Sequence, residues 1–521
     1  MTKIHSAAIP ARNSNQLKLG IICLFSFSVI ALFLGLFVPL FFNAGLIISI
    51  CFLIVASFLF FYQYIQHQKY RPTNTGIMLQ SLTNKGFVAY SVGFILTAFY
   101  VLIYWYPYLL GYNATGNTGL VRMFNPLSYL LNGKAATQWF MYGTIYTLAI
   151  FIFGIKFIIK YRHVNYQVVR TISVMFFQLA FAFLLPELLQ KFNPNQAYFA
   201  KDLKNMWPLN YYFFEDWHIN ALLSGHNLGA FMLIMGIAMI FVVSPILTYY
   251  FGKRWYCSWV CGCGGLAETA GDSFRQLSNK SVTAWRLERW VIHLVLVFII
   301  LVTIAVLFSL FYNNPTTYWL NKYSFSAIVI ILSIGTAALL FAKRKKLINT
   351  LTRQARYVGT GVVLFIVVCL VHILLSGGSN IFWVDAYKLR QFYGFFIGAM
   401  FSGVIGVGFY PLLGSRVWCR FGCPMAALLG LQQKLFSKFR ITTNSGQCIS
   451  CGNCSTYCEM GIDVRSYAQQ GLPIVRSSCV GCGICSAVCP RGVLKLENVS
   501  IADKYNTSPI SVNSNGIIVN H

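Results

Sequence analysis

"CISCGNCSTYC", residues 448–458, and "CVGCGICSAVCP", residues 479–490, decide how the C-terminal part of this chain folds. Each stretch holds four cysteines at the same spacing, with two, two and then three residues between them. A compact loop with a cysteine at every third position aims three thiolates at one point. Gly452 and Gly483 lie inside these loops, where glycine permits tight turns. The spacing therefore predicts metal ligation and not a disulfide scaffold.

This is the spacing of the bacterial ferredoxin run, in which the fourth cysteine ligates the other of two clusters. It predicts two [4Fe-4S] clusters with four cysteine ligands each. The sets are Cys448, Cys451, Cys454 and Cys489 for the first cluster, and Cys479, Cys482, Cys485 and Cys458 for the second. Structural zinc is the alternative, but zinc favours two Cys-x-x-Cys pairs per ion over two runs of four cysteines. Glu459 stands where a proline often follows the fourth cysteine, and we expect nothing essential to depend on this difference.

The composition of the whole chain is that of an integral membrane protein. Of 521 residues, 57% are hydrophobic and only 10% are charged, and the mean hydropathy is +0.63. A soluble protein carries about 25% charged residues. The formal net charge of +28 would suit nucleic-acid binding, but no soluble domain shows a Lys/Arg-rich face large enough to grip a duplex. Basic residues that hold helix ends at the cytoplasmic side explain the charge better. We therefore expect membrane lipid, and no nucleic acid, as a partner.

Ten apolar runs are long enough to cross a bilayer, which needs about 20 residues per helix. They are residues 18–41, 44–64, 86–110, 138–159, 169–189, 227–251, 290–312, 323–342, 357–376 and 391–413. Lys and Arg are concentrated in every second connecting segment, including "KRKK" at 343–346. By the positive-inside rule this predicts that both termini and the ferredoxin domain are cytoplasmic.

The predicted fold is an all-α polytopic membrane protein of about ten transmembrane helices with a C-terminal α+β bacterial 2[4Fe-4S] ferredoxin domain. Its parts are a cytoplasmic segment (1–17), an N-terminal membrane domain (18–225), a second membrane domain (226–440), the ferredoxin domain (441–499) and a disordered tail (500–521).

A shorter cysteine motif occurs twice in the second membrane domain, each time directly after an apolar run. "GKRWYCSWVCGC" (252–263) and "GSRVWCRFGCPM" (414–425) share the pattern G-x-R-x-aromatic-C-x-aromatic-x-C. One pair of cysteines cannot complete a four-thiolate site, but two pairs can. We therefore predict a further redox, metal or iron–sulfur site formed by Cys257, Cys261, Cys419 and Cys423. A dithiol/disulfide pair and purely structural cysteines are the alternatives. Cys263 has no counterpart in the second copy.

Tandem R-x-x-C-x-x-x-C motifs after membrane helices, followed by a two-cluster ferredoxin domain, resemble the NapH/NosR-type membrane polyferredoxins. This family includes quinol-dehydrogenase subunits and is related to the cytochrome-oxidase accessory protein. The resemblance covers about residues 225–499, and the chain departs from it at Gly262, where the family has proline, and at Cys263. It implies a bacterial inner membrane, the quinol pool, and other redox subunits, among them an extracytoplasmic acceptor.

Other polar groups near predicted helices are weaker candidates. His293 and His372 lie within predicted spans, where bis-histidine haem is one interpretation and packed histidines are the simpler one. In the outer segment 190–226, Glu215, Asp216, His218 and His226 stand among aromatic residues and could take protons from quinol. The alternative is an interfacial aromatic belt with solvated charges. Asp385 and Arg390 lie in a second outer segment of the same kind.

Together these patterns predict a membrane-bound electron-transfer protein, the electron-transfer subunit of a quinol dehydrogenase-type oxidoreductase. It would connect the quinol pool, or an extracytoplasmic redox partner, with cytoplasmic [4Fe-4S] clusters. No catalytic residue is predicted, because clusters supply the chemistry and the protein supplies position and potential. One alternative is a reductase that delivers a metal such as copper to another enzyme, since thiolates suit Cu(I). A redox sensor is the other, although no signalling module accompanies the cysteines.

Overall fold

The computed structural model describes most of the chain. The described residues are 11–38, 42–70, 86–194, 198–202, 213–224, 226–314, 320–341, 353–377, 380–381, 383–499, 511–513 and 516–518. They form two compact units. The first unit takes the described residues up to Pro194, together with Trp259–Leu277 and Gly408–Ser415. The remaining described residues belong to the second unit.

Both units are built mainly of helices. In chain order these are α1 (Ala11–Phe37), α2 (Phe42–Tyr70), α3 (Phe87–Trp105), α4 (Gly119–Met123), α5 (Asn125–Asn132), α6 (Gln138–Lys160), α7 (Asn165–Phe176), α8 (Leu185–Phe192), α9 (Asp216–Leu223), α10 (His226–Ala238), α11 (Ser244–Phe251), α12 (Arg254–Cys257), α13 (Gly262–Glu268), α14 (Val282–Asn313), α15 (Lys322–Phe341), α16 (Arg353–Ser376), α17 (Ala386–Tyr393), α18 (Tyr410–Leu413), α19 (Pro424–Phe436), α20 (Asn453–Thr456), α21 (Val464–Gln470) and α22 (Ile484–Ala487). A π-helical segment, Phe177–Leu184, joins α7 to α8, and another, Met239–Val243, joins α10 to α11.

Seven described helical segments are long and apolar enough to cross a bilayer, so the chain is a membrane protein. They are Gln16–Gly35, Phe87–Trp105, Gln138–Lys160, Asn165–Phe192, Leu228–Phe251, Val282–Asn313 and Tyr357–Ser376. Two further apolar helices, Ala44–Phe60 and Lys322–Gly335, are shorter. Each of these nine overlaps one of the predicted apolar runs.

The tenth predicted run, 391–413, is not one helix. The chain is helical from Ala386, through a π-helical segment Gly394–Ile405, and then turns at residues 406–409 before α18 begins. Three glycines and Pro411 are concentrated between residues 403 and 411. Because glycine weakens a helix and proline lacks an amide hydrogen, this composition explains the interruption.

A buried ionic network holds residues 259–277 against α6 and α7 in the first unit. Asp272 accepts from Lys160 Nζ at 2.8 Å and from Lys156 Nζ at 3.2 Å, and its other oxygen lies 2.9 Å from Arg275 Nε. Burial alone would raise the pKa of Asp272, but these three cations outweigh it and hold that pKa well below its usual value.

Because of this network, the units do not follow the predicted division between residues 225 and 226. Arg170 of α7 forms a second buried ion pair, with Glu268 at the end of α13. The segment that carries Cys261 and Cys263 therefore packs within the first unit, although it comes after the predicted boundary.

The ferredoxin domain is closed by a two-stranded antiparallel sheet. Strands β1 (Asn380–Ile381) and β2 (Val384–Asp385) form an earlier short antiparallel pair. In the ferredoxin domain, β3 (Phe439–Thr443) pairs with β4 (Leu494–Asn498), so Phe439 lies opposite Asn498 and Thr443 lies opposite Leu494. The domain thus begins two residues before the predicted boundary at 441. In the predicted tail, most residues lie outside the described part of the chain. Residues 511–513 and 516–518 pair as a separate two-stranded sheet.

Gly252 ends α11 in a backbone conformation that only glycine adopts readily, with φ +64° and ψ −175°. A Cβ atom there would lie 2.6 Å from Gln433 Oε1 and 2.8 Å from a ring carbon of Phe439. We predict that Gly252→Ala lowers the free energy of unfolding by about 1–3 kcal/mol from backbone strain alone. Thermal unfolding of the purified protein in detergent measures the change.

The matched control is Gly335→Ala in α15, where a Cβ atom meets nothing within 4 Å. Alanine is favoured over glycine in helices, so this variant should unfold at the same or a higher temperature. Equal effects of the two substitutions would contradict the strain assigned to Gly252.

Candidate iron–sulfur site

Each cysteine run closes around a small hollow, and in both the fourth cysteine comes from the other run. The first hollow is lined by Cys448, Cys451, Cys454 and Cys489, and the second by Cys458, Cys479, Cys482 and Cys485. Each has a volume of about 20 Å³. The structure thus brings together the two sets of four thiols that the sequence predicts. Four convergent thiols are the donor set of a [4Fe-4S] cluster, so the residues present fit that group.

The two loops share their backbone geometry. Gly452 and Gly483 precede α20 and α22 with φ of +81° and +75°, the left-handed region that favours glycine. In the first hollow, the amide of Val493 lies 3.4 Å from Cys489 Sγ and donates to it. Amide hydrogens that point at the sulfurs stabilise thiolates and tune a bound cluster.

Burial disfavours the thiolate form of at least one cysteine in each hollow. Burial raises the pKa of Cys454 and of Cys458 to about 11, against partial opposition from backbone amides that donate to the sulfurs. Metal ligation requires deprotonated cysteines, so a bound cluster would supply the positive charge that offsets this burial.

The hollows differ in exposure. Cys451 of the first hollow is exposed, whereas Cys479 and Cys485 of the second are only 8% and 7% exposed. Cys454 of the first hollow is buried as well, so the difference between the two hollows lies mainly in the exposed Cys451.

Side chains that follow the apolar segment Leu228–Phe251 or lie in α19 hold the loop that forms the second hollow. Three carbonyl oxygens of this loop accept hydrogen bonds from residues next to α11, after α12 and in α19. The bonds run from Lys253 Nζ to Ser477 O at 2.7 Å, from Ser258 Oγ to Val480 O at 2.9 Å and from Gln433 Nε2 to Cys479 O at 2.9 Å. The second hollow is thus tied directly to the cysteine repeat, because Lys253 and Ser258 flank Cys257 in the chain.

Arg416, the arginine of the second repeat, contacts both repeats and the ferredoxin domain. Its guanidinium donates to the carbonyl oxygen of Cys257 at 3.0 Å and lies 3.5 Å from Cys419 Sγ. Its Nε lies 3.1 Å from Glu459 Oε1, and neither side chain is exposed. Glu459 directly follows Cys458, so one buried ion pair connects the repeat to a residue that lines the second hollow.

Glu459 is the functional residue that the sequence interpretation missed. The only signal was its departure from the proline that often follows the fourth cysteine. Burial alone would lower the pKa of Arg416, but the charge of Glu459 outweighs it and raises that pKa well above its usual value. The guanidinium therefore stays charged beside Cys419, where a positive charge favours a thiolate.

The four repeat cysteines belong to two different units. Cys257, Cys419 and Cys423 pack into the same buried cluster as the ferredoxin cysteines in the second unit. Cys423 caps α19, its sulfur accepting from Ala426 N at 3.4 Å. Cys261 belongs to the first unit, where it precedes α13. The site formed by all four thiolates thus stays a prediction. Cys263, which has no counterpart in the second repeat, is exposed.

The two predicted outer segments meet in the second unit. Tyr387 Oη donates to Asp216 Oδ2 at 3.1 Å, and Arg390 lies close enough to Glu215 to affect its pKa. His218 is buried, with Nδ1 2.9 Å from the carbonyl oxygen of Phe213. Burial raises the pKa of Glu215 above its usual value. These contacts show a packed polar cluster, while the side chain of His226 lies outside the described residues.

The two histidines considered for haem belong to different helices. His293 lies in α14, with its Nδ1 2.5 Å from the carbonyl oxygen of Arg289 one turn earlier. His372 lies in α16. This contact within α14 is that of a packed helical histidine, so haem gains no support from it.

Comparison with protein-family models gives three matching segments. Residues 447–494 match a 4Fe-4S dicluster domain, and residues 233–281 and 394–442 each match a 4Fe-4S binding domain. The last two segments contain one copy each of the cysteine repeat. These matches support iron–sulfur binding in a membrane protein.

A curated relative is the putative electron transport protein YccM of Escherichia coli (strain K12). It is 24% identical over 233 residues, which are 44% of this chain. The match spans about half (48%) of that protein's length. No solved structure matches the chain.

Replacement of Glu459 tests its pairing with Arg416. We predict that Glu459→Gln, which leaves a buried guanidinium unpaired, costs about 3–5 kcal/mol of stability. The ferredoxin domain should become sensitive to limited proteolysis at lower temperature. Glu497→Gln, on the half-exposed β4, is the control and should behave as wild type. Identical proteolysis of both variants would contradict the role given to the ion pair.

The crossed fourth cysteines give a separate prediction. Cys458→Ala and Cys485→Ala should remove the same EPR signal of the anaerobically purified, reduced protein, and Cys489→Ala should remove the signal that Cys454→Ala removes. Each variant should keep about half of the iron of the two clusters. A Cys458→Ala variant that grouped with Cys454→Ala would show that each run ligates its own cluster.

Proposed function

We propose that this protein transfers electrons between the quinone pool, or an extracytoplasmic redox partner, and two [4Fe-4S] clusters in its C-terminal domain. The observation that carries the proposal is the attachment of the second hollow to the cysteine repeat through Arg416, Lys253 and Ser258. A soluble ferredoxin needs no such attachment. The printed name of YccM as a putative electron transport protein also supports it.

When bound, a [4Fe-4S] cluster accepts or releases one electron at a time. The chain contributes position and polarity. The loop of the second hollow is bound by Lys253 and Ser258 of the repeat segment, and Cys451 of the first hollow is exposed. This order suits exchange with a membrane carrier at one side and with a protein partner at the other.

The number of electrons that a hydroquinone releases also matches the number of clusters. Oxidation of one hydroquinone to quinone releases two electrons and two protons, and two one-electron centres receive the pair. The protein would then work as a subunit beside other redox subunits in a bacterial inner membrane. Ten spans with both termini and the ferredoxin domain on the cytoplasmic side, as the distribution of Lys and Arg favours, belong to the same proposal.

The first test uses the wild-type protein, purified anaerobically in mild detergent. We expect a hydroquinone to reduce the oxidised clusters, or a quinone to reoxidise the dithionite-reduced clusters, as followed by EPR. If neither ubiquinone nor menaquinone analogues exchange electrons while Cu(II) is reduced rapidly, metal reduction replaces the proposed function.

The repeat cysteines give a second test. We propose that Cys257, Cys261, Cys419 and Cys423 hold a further iron–sulfur or metal site, which the two matches to a 4Fe-4S binding domain support. Cys257→Ser and Cys419→Ser should then lose the same spectral feature and lower the iron content below wild type. If the iron content accounts for two clusters only and both variants match the wild type, these cysteines have a thiol or structural role instead.

A further inference from the structure

Cationic side chains from separate parts of the second unit gather around one indole ring at the start of a membrane-crossing helix. Arg289 lies one turn after Trp285 in α14, and its guanidinium carbon is 4.7 Å from the centroid of the indole ring. The guanidinium carbon of Arg476, which belongs to the ferredoxin domain, is 5.1 Å from the centroid of the same ring. Two guanidinium groups from distant parts of the chain therefore share one aromatic partner.

Lys434 of α19 adds a third positive charge to this group. Burial lowers the pKa of the half-buried Lys434, and the charges of Arg289 and Arg476 lower that pKa further. The ammonium group is thus close enough to both guanidinium groups to be repelled by them. Three like charges at such separations cost free energy unless negative charge lies beside them.

The described carboxylates do not supply this negative charge to the two arginines. Within the part of the chain that the structure describes, neither Arg289 nor Arg476 forms an ion pair. Glu288, the neighbour of Arg289 in α14, is buried and accepts from Arg420 Nε at 2.6 Å. The side chain of Arg289 is exposed and that of Arg476 is half-buried, so an anion from outside the protein can reach both.

The surroundings of these cations are those of a membrane surface. α14 has 32 residues and is about 48 Å long at 1.5 Å per residue, whereas the hydrocarbon core of a bilayer is about 30 Å thick. Trp285 and Arg289 precede the apolar run that starts at residue 290, so they lie where the helix reaches the lipid headgroups. Leu287 and Trp290 beside them are exposed, and tryptophan is enriched at this depth. Exposed apolar groups next to the cations favour a lipid over a soluble acidic partner.

We propose that Arg289, Arg476 and Lys434 form a binding site for the headgroup of an anionic phospholipid. Guanidinium groups match a phosphate in geometry as well as in charge, so the phosphodiester oxygens accept from the two arginines. The acyl chains lie along the exposed apolar side chains of α14. Arg476 belongs to the loop of the second hollow, where its carbonyl oxygen accepts from the amide of Cys479 at 3.1 Å. The lipid therefore joins this loop to a membrane-crossing helix, whichever redox partner the protein has.

The test compares two phospholipids that differ only in the headgroup. The full-length protein, purified anaerobically in mild detergent, is titrated with dioleoyl phosphatidylglycerol or with dioleoyl phosphatidylcholine, and native mass spectrometry counts the bound lipid. We expect the wild type to bind the anionic lipid about tenfold more tightly than the zwitterionic one, or better. Equal binding of the two lipids overturns the proposal.

Substitutions locate the binding. Arg289→Gln and Arg476→Gln should each weaken the binding of phosphatidylglycerol about fivefold, because each removes one cation from the site. Arg289→Lys keeps the charge and should bind more tightly than Arg289→Gln. Lys495→Gln neutralises an exposed lysine of β4 outside the cluster and should bind as the wild type does. If Arg289→Gln and Arg476→Gln also bind as the wild type does, the site lies elsewhere and the proposal fails. Iron content, equal in all these proteins, checks their folding.

Competition separates a lipid site from a site for other anions. The titration with phosphatidylglycerol is repeated with excess inorganic phosphate and, separately, with polyglutamate, each at constant ionic strength because salt screens exposed charges. We expect the lipid to stay bound, since neither competitor has acyl chains to lie along α14. Complete displacement by phosphate would assign the cluster to a free anion, and complete displacement by polyglutamate would assign it to an acidic protein. Either result overturns the lipid site.

Discussion

The buried pair of Arg416 and Glu459 is the contact on which the arrangement of the second unit depends. A buried guanidinium is tolerated only when its charge and its hydrogens are matched. Here the hydrogen bonds go to a carbonyl of the first repeat and a sulfur of the second, and the opposite charge comes from a carboxylate of the ferredoxin domain. These three groups come from distant parts of the chain. A large movement of any one of them would therefore remove part of the pairing of Arg416.

The two repeats use their shared arginine differently. Arg254 of the first repeat lies over the ring of Phe439, 4.5 Å from its centroid, and donates to Asn498 Oδ1 at 3.1 Å. It therefore contacts one end of the β3–β4 pair, where Phe439 lies opposite Asn498, whereas Arg416 contacts Glu459 directly after Cys458. The two copies of the motif thus supply one arginine that contacts the domain's sheet and one that contacts a residue lining the second hollow.

The sequence was sufficient where the chemistry is local. Eight cysteines at fixed spacing predicted two sets of four thiols, because turn geometry and the crossed fourth ligand follow from a few adjacent residues. It was insufficient for Glu459 and for Lys156, since their partners are distant in the chain and an isolated charge gives no sign of being buried. The run 391–413 shows another limit: its hydropathy is high enough for a span, but hydropathy does not show that the helix is interrupted after Ile405, where glycines and Pro411 follow.

The interleaved order of the two units has a consequence for biogenesis. α6 and α7 are synthesised early, yet the carboxylates that neutralise Lys156, Lys160 and Arg170 arrive only with residues 268–272, and Gly408–Ser415 complete the same unit later still. Until then these cations of α6 and α7 lack the carboxylates with which they pair in the folded unit. Membrane insertion of the first five predicted spans and completion of their packing are therefore separate steps. A chain that ends at residue 225 lacks the carboxylate-bearing residues that complete the packing.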